Sequence, residues 1–231
     1  MFDIAKRVYV GLESQGKSLA LANDALMYLA RSVRLEKRYG FRRLLYSNMT
    51  FSKEVMARYG ERIRYYSRVD ELLSLTGCDI IIDELPSFFS ALKTDPLPYE
   101  VNRWLRQTAK QGVRITGTAQ EFHDIHVQFR RRVISASRCF KVLGSTRPGH
   151  NLPPVRSVWG IVRIRPLVIN PYDELKPQYS FTLPPFDCLF ITRSLVSVFD
   201  TNQVIGDASY TDFRHVERFC PVCKFKKIYH Y

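Results

Sequence analysis

Gly11-Leu12-Glu13-Ser14-Gln15-Gly16-Lys17-Ser18 decides the fold. The stretch reads GxxxxGK[ST], with the apolar strand pattern Val8-Tyr9-Val10 before it and a helix pattern from Leu19 after it. Such a loop turns back so that successive backbone N–H groups point inward at phosphates, and Gly11 and Gly16 permit conformations that a Cβ hinders. The following helix aims its positive end at the same anion. Gly11, Ser14, Gln15, Gly16, Lys17, Ser18 and Leu19 are therefore the candidate contacts to a nucleoside triphosphate. Lys17 is expected to neutralise the β- and γ-phosphates, and Ser18 to hold Mg²⁺.

Two further segments agree with this start. Cys78-Asp79-Ile80-Ile81-Ile82-Asp83-Glu84 is a β-branched apolar run that ends in two carboxylates, the pattern of a buried parallel strand with a charged tip. Asp83 fits the second Mg²⁺ position, and Glu84, directly after it, can polarise a water for attack on the γ-phosphate. Arg114-Ile115-Thr116-Gly117-Thr118-Ala119-Gln120 is again strand-like, following a helix pattern over 99–111 that Gly112 closes. An amide at its tip, Gln120, can donate to a phosphate oxygen and accept from the attacking water, so it is the candidate γ-phosphate sensor.

The order of elements predicts strands at 7–12, 42–47, 62–66, 78–84, 114–120 and 138–143, with helices at 18–38, 52–59, 69–76, 99–111 and 124–132. Strands alternating with helices indicate an α/β domain, a mainly parallel sheet covered on both faces, over residues 1–145. Pro86, Pro96 and Pro98 predict an irregular loop between Leu85 and Tyr99 beside the catalytic edge, with Phe88-Phe89 packed beneath it. From 146 to 231 prolines, among them Pro148, Pro153, Pro154, Pro166, Pro171, Pro177, Pro184 and Pro185, punctuate short apolar segments such as Ser157–Ile164 and Leu189–Phe199, which reads as a β-rich extension. The amino terminus leads straight into the first strand, with no secretory signal.

The stretches GLESQGKS, DIIIDE and RQTAKQGVRITGTAQEFHDIHVQFRRRV together resemble the FtsK/HerA-type ATPases, and especially their Zot-like branch, the zonula occludens toxin-like morphogenesis proteins of filamentous phages. The resemblance covers roughly residues 6–145 and implies a P-loop NTPase core of the additional-strand, catalytic-glutamate class. It assigns phosphate and Mg²⁺ contacts to Lys17 and Ser18, the metal residue to Asp83, the base to Glu84 and the sensor to Gln120. It implies an ATPase motor that translocates DNA in viral or plasmid genome packaging, export or virion assembly, working as a homo-oligomeric ring, a hexamer, with virion or assembly proteins. Such rings supply an arginine across the subunit boundary, for which Arg103, Arg106 and Arg130 are the candidates. Filamentous-phage members carry a membrane-spanning helix after the core; this chain has no apolar run near the ~20 residues that requires. A weaker resemblance, to thymidine-kinase-type nucleoside kinases, rests on the same phosphate loop, Asp83-Glu84 followed by Phe88-Phe89, and a CxxC pair.

Charge favours a polyanionic partner. Lys plus Arg number 35 against 22 Asp plus Glu, a net charge of +13, which attracts nucleic acid through counterion release. Arg58, Arg62, Arg64 and Arg68, interleaved with Tyr59, Tyr65 and Tyr66, form one candidate contact, and Arg130-Arg131-Arg132 is the densest basic run. Five cysteines beside a phosphate loop point to a reducing compartment, the cytoplasm. Cys78, Cys139 and Cys188 read as buried small residues. Cys220-Pro221-Val222-Cys223 has knuckle spacing, and His215 and His230 can complete a Zn²⁺ site; reduced thiols or a redox pair stay open.

Overall fold

The computed structural model describes residues 6–92, 95–144, 160–168, 178–179 and 188–204. Its centre is a mainly parallel sheet. Strand β1 (Lys6–Val10) is flanked on both sides, and helix α1 (Lys17–Tyr39) follows it across the phosphate loop. Next come β2 (Leu45–Ser47), β3 (Met49–Phe51), α2 (Lys53–Tyr59), β4 (Ile63–Tyr65) and β5 (Asp79–Ile82). The core closes with α3 (Leu85–Phe88), α4 (Tyr99–Gln107), β6 (Arg114–Ala119), α5 (Val127–Arg130) and β7 (Ser135–Gly144). Beyond it lie β8 (Gly160–Val168), β9 (Gln178–Tyr179), β10 (Cys188–Ile191), α6 (Arg193–Val196) and β11 (Phe199–Val204).

The sheet runs β10-β8-β7-β1-β6-β5-β2-β4, with β9 on β8. All pairings from β7 to β4 are parallel, whereas β8, β9 and β10 join antiparallel. The decisive feature is β6, which pairs with β1 on one side and β5 on the other. It is a strand inserted between the phosphate-loop strand and the Asp-Glu strand. The described strands of the C-terminal extension continue the same sheet, and β11 pairs with β3 in a small second one.

Each central strand is buried on both faces, and period-two alternation sorts its side chains. Ile80 and Ile82 join Val8, Val10 and Ile115 under α4, through Val101, Trp104 and Leu105. Ile81 faces the other way, toward Leu21, Ala25 and Leu29 of α1. That second face carries a polar network as well. Asp24, 1% exposed, accepts from Tyr9 Oη at 2.9 Å and pairs with Arg7 at 3.2 Å, while Asp79 holds Arg114 at 2.6 Å and Arg43 at 2.8 Å. These buried carboxylates are paired, as their burial demands.

Several expected elements take other forms. The helix expected at 69–76 is a single 3-10 turn, Val69–Leu72, and the one at 124–132 divides into a 3-10 turn, Phe122–Asp124, and α5. The proline-rich stretch opens with α3, because Pro86 sits in the first turn, where its missing N–H costs nothing. Phe89 is buried on Phe129, ring centroids 4.8 Å apart, while Phe88 packs half-buried on Tyr66. Cys78 and Cys139 are buried, but Cys188 is half-buried on the antiparallel flank. Among the described residues no helix is long and apolar enough to cross a membrane.

Candidate nucleotide site

The strand tips meet at one edge of the sheet. Gly11 N–H donates to Gln120 O at 3.0 Å, which fastens the start of the phosphate loop to the tip of β6. Lys17 Nζ spans the loop, donating to Gly11 O at 2.5 Å and Leu12 O at 3.1 Å. Gly16 takes φ 89° at the first turn of α1, and a Cβ there would lie 2.5 Å from a methyl of Val162 on β8. Only glycine fits both demands. Gln15 turns its side chain to β7, where Oε1 accepts from Lys141 N–H at 2.8 Å, so that side chain braces the loop. Leu19 packs into the core, leaving its backbone at the helix start, while Ser14 (φ 61°) and Ser18 are exposed at the loop.

The Asp83-Glu84 turn is held from both sides by residues whose roles the sequence did not announce. Asn48, between β2 and β3, grips the Asp83 backbone twice: its Nδ2 donates to Asp83 O and its Oδ1 accepts from Asp83 N–H, both at 2.8 Å. Thr118 Oγ1 donates to Asp83 Oδ1 at 2.6 Å and accepts from Glu84 N–H at 2.9 Å. Glu84 sits in the left-handed region at φ 59°, ψ 67°, a conformation costing about 1–3 kcal/mol that survives only where the surroundings over-determine it. Gly117 completes the clamp: a Cβ there would meet Leu85 Cγ at 2.5 Å, so its absence lets Leu85 settle on β6 directly behind the turn.

Electrostatics bind these pieces into one site. The Glu84 carboxyl is held above the ordinary glutamate range, first by partial desolvation and then by Asp83, with Asp124 and Glu13 adding to the rise and Lys17 opposing it. The glutamate, the loop lysine and the strand-end aspartate therefore share one field. Cys139 lies beneath, its thiol pushed up to about 12 by burial despite Lys17 nearby, so it stays protonated. Asp83 and Ser18 offer hard oxygen donors of the kind Mg²⁺ takes alongside substrate phosphates. Among the described residues no group of three or more His, Cys, Asp or Glu forms a metal cage.

Arg106 and Arg130 are not brought to this edge. Arg106 lies in the field of Arg132, which in turn acts on Lys6 at the far end of β1, a strand's length of about 17 Å from Gly11. Arg130 ends α5 just before Ile134, whose N–H donates to Lys6 O at 3.1 Å. Cys220, Cys223, His215 and His230 lie outside the described residues.

A glycine loop between a central strand and its helix, beside an inserted strand and an Asp-Glu turn, stands at the edge of an α/β, mainly parallel sheet of phosphate-loop type. Comparison with solved structures finds similarities at low identity, with TM-scores under 0.5. The N-terminal domain of zonular occludens toxin from Neisseria meningitidis is similar at 14% identity and a TM-score of 0.49, over 84% of this chain and 98% of that one. The genome-packaging NTPase B204 of Sulfolobus turreted icosahedral virus 2, solved with ATP-gammaS, matches at 13% identity and TM-score 0.41, over 60% and 76%. The flagellar accessory protein FlaH of Methanocaldococcus jannaschii matches at 11% and 0.42, over 78% and 90%. No family model and no curated protein sequence matches the chain.

Two predictions follow from the clamp and its charges. Asn48→Ala or Thr118→Val strips partners from the backbone of Asp83 or Glu84, an expense of about 1–3 kcal/mol. Each should lower kcat for ATP hydrolysis tenfold or more, while nucleotide affinity measured without Mg²⁺, which rests on the phosphate loop, stays within a factor of two. Loss of magnesium-free affinity as well would mark general unfolding instead. Separately, a glutamate base works only when deprotonated, so kcat/KM should rise with pH through the Glu84 pKa, on a limb above the usual glutamate range. Glu13→Gln with Asp124→Asn removes two like charges and should move that limb to lower pH. The ratio of the two profiles cancels the ionisation of ATP itself, and a flat ratio would dissociate the limb from Glu84.

Proposed function

We propose that the chain is a Mg²⁺-dependent ATPase motor that couples ATP hydrolysis to DNA translocation in genome packaging, export or virion assembly. The observation that carries the hydrolytic reading is the Asp83-Glu84 turn, with a glutamate carboxyl of raised pKa in the field of the loop lysine. Lys17 and the loop N–H groups hold the triphosphate, and the side-chain amide of Gln120, whose backbone carbonyl accepts from Gly11 N–H, follows the γ-phosphate in this reading. Ser18 and Asp83 would hold Mg²⁺, which would supply charge neutralisation at the phosphates. Glu84 takes the proton of the attacking water, whose oxygen bonds to the γ-phosphorus as the bond to the ADP oxygen breaks.

The distance of Arg106 and Arg130 from their own loop fits a ring in which a neighbour's arginine reaches the site. The net charge of +13 and the packaging NTPase of similar fold support nucleic acid as the cargo. Residues 146–231 serve as an accessory region. Phosphate release, measured with and without single- and double-stranded DNA and then with thymidine, tests the reading. Stimulation by DNA is expected. Thymidine-dependent ADP formation would instead place the chain among nucleoside kinases.

A further inference from the structure

The arginine–tyrosine run and the basic face of α4 end up in different electrical states. In the arginine–tyrosine run, Arg62 pairs with Glu36, Arg68 with Asp70 at 2.6 Å, and Arg64 turns to the carbonyls of Glu61 and Ile63. Neighbouring Arg42 is taken by Glu36 at 2.7 Å and Glu61 at 3.1 Å. Most of that charge is spent within the protein.

Helix α4 is different. Val101, Trp104 and Leu105 bury one of its faces, so Arg103, Arg106 and Lys110 project along the other at a spacing of three and four residues. The hydrogen bond from Gln111 N–H to Gln107 O carries the helical path through Lys110, and the row is about 10 Å long. Arg132 lies against the same helix, donating to Asn102 Oδ1 at 2.8 Å and to Gln128 O, both neutral acceptors. Among the described residues none of Arg103, Arg106, Lys110 and Arg132 forms an ion pair with a carboxylate. Exposed Arg131 adds to the same field, and the crowding holds Arg132 below its ordinary pKa, behind burial as the first cause. Lys6, under the helix at 2.5 Å from Thr108 Oγ1, is brought down to about 8 by burial and by Arg132.

We propose that the row of Arg103 and Arg106 on α4 and Lys110 in the turn that continues it, with Arg132 at its side, is the surface that receives a nucleic-acid phosphate backbone. An arginine reaching into a neighbour's triphosphate needs one guanidinium, whereas Arg103, Arg106, Lys110 and Arg132 put four cations on this face with no carboxylate partner among the described residues. It lies at the strand edge opposite the phosphate loop, so it does not compete with the nucleotide for the same charges. The proposal rests on the reading that the chain works on DNA.

The test is the salt dependence of binding to a short fluorescent oligonucleotide, offered as a single strand and as a duplex. Each lost phosphate contact lowers the slope of log K against log salt by about 0.9 for a duplex and about 0.7 for a single strand. Arg103→Glu with Lys110→Glu should therefore flatten the slope by about two on the duplex, and weaken binding at least tenfold at physiological salt. Arg58→Glu with Arg64→Glu, the same change of charge on the other run, should do much less. Unchanged thermal midpoints show that both variants fold, and Arg103→Gln with Lys110→Gln should give an intermediate slope. Equal losses in the two charge-reversed variants, an unchanged slope in the first, or no binding of either oligonucleotide by the wild type would overturn the proposal. Nucleotide affinity of Lys17→Ala is measured in parallel: if it equals the wild type, the ATPase reading fails whatever the slopes show.

Discussion

Glu84→Gln should lower kcat for ATP hydrolysis by roughly 10²–10⁴-fold and leave MgATP affinity within a few-fold of the wild type. The exchange keeps shape and hydrogen-bonding reach while removing the basic oxygen. The turn itself should persist, because Thr118 holds Glu84 through the backbone N–H rather than the carboxyl. Loss of the negative charge also relieves the repulsion from Asp83, Asp124 and Glu13 that raises the glutamate pKa, so binding of the anionic triphosphate should not suffer. A kcat within a few-fold of wild type would remove Glu84 from the chemistry. A large rise in KM at unchanged kcat would make it a ligand of the bound nucleotide instead. The expected variant, which binds but does not turn over, also lets DNA affinity be compared with and without trapped ATP.

The parts of this site that the sequence made legible are those in which chemistry and chain order coincide. The phosphate loop is local: strand, glycines, lysine and helix are consecutive, so Gly11 to Ser18 could be read as one object. The DIII run likewise announced a doubly buried strand, and the observed burial of all four residues agrees. Order in sequence does not give order in space. That β6 lies between β1 and β5 follows from pairing partners more than thirty residues apart, and came only through the resemblance. Asn48 carried no signal, because a lone polar residue between two short strands reads as a turn. Thr118 shows one in hindsight: it stands two residues before Gln120, so both leave β6 on the same side near its tip. The polar network of Arg7, Tyr9 and Asp24 was hidden for a related reason, since a charged residue inside a strand pattern looks exposed until its partner on α1 is known. In the basic run at 58–68 Arg62 pairs with Glu36 of α1, a partner that lies too far back in the chain for the local pattern to show.

Gly16→Ala should weaken nucleotide binding by roughly thirtyfold or more, and Val162→Ala should restore part of it. Two separate costs fall on an alanine at this position. Its φ of 89° lies in the left-handed region, where a Cβ costs about 1–3 kcal/mol. Its methyl would also stand 2.5 Å from one Val162 methyl and 3.0 Å from the other, and forcing extra volume into a packed site costs about 1–3 kcal/mol more. Together they amount to about 2–6 kcal/mol, a loss of roughly thirtyfold to more than ten-thousandfold in the population of the binding-competent loop. Val162 is fully buried, so it has no free direction in which to yield. Val162→Ala opens that space while leaving the backbone strain untouched. The double variant should therefore bind more tightly than Gly16→Ala alone, with a favourable coupling of about 1–2 kcal/mol in a double-mutant cycle read from nucleotide affinity. Additive effects would mean that the loop is strained by its backbone alone and that β8 does not press on it. Coupling would establish that a strand from beyond residue 145 forms one wall of the phosphate loop, so that any displacement of β8 is felt directly by the bound triphosphate.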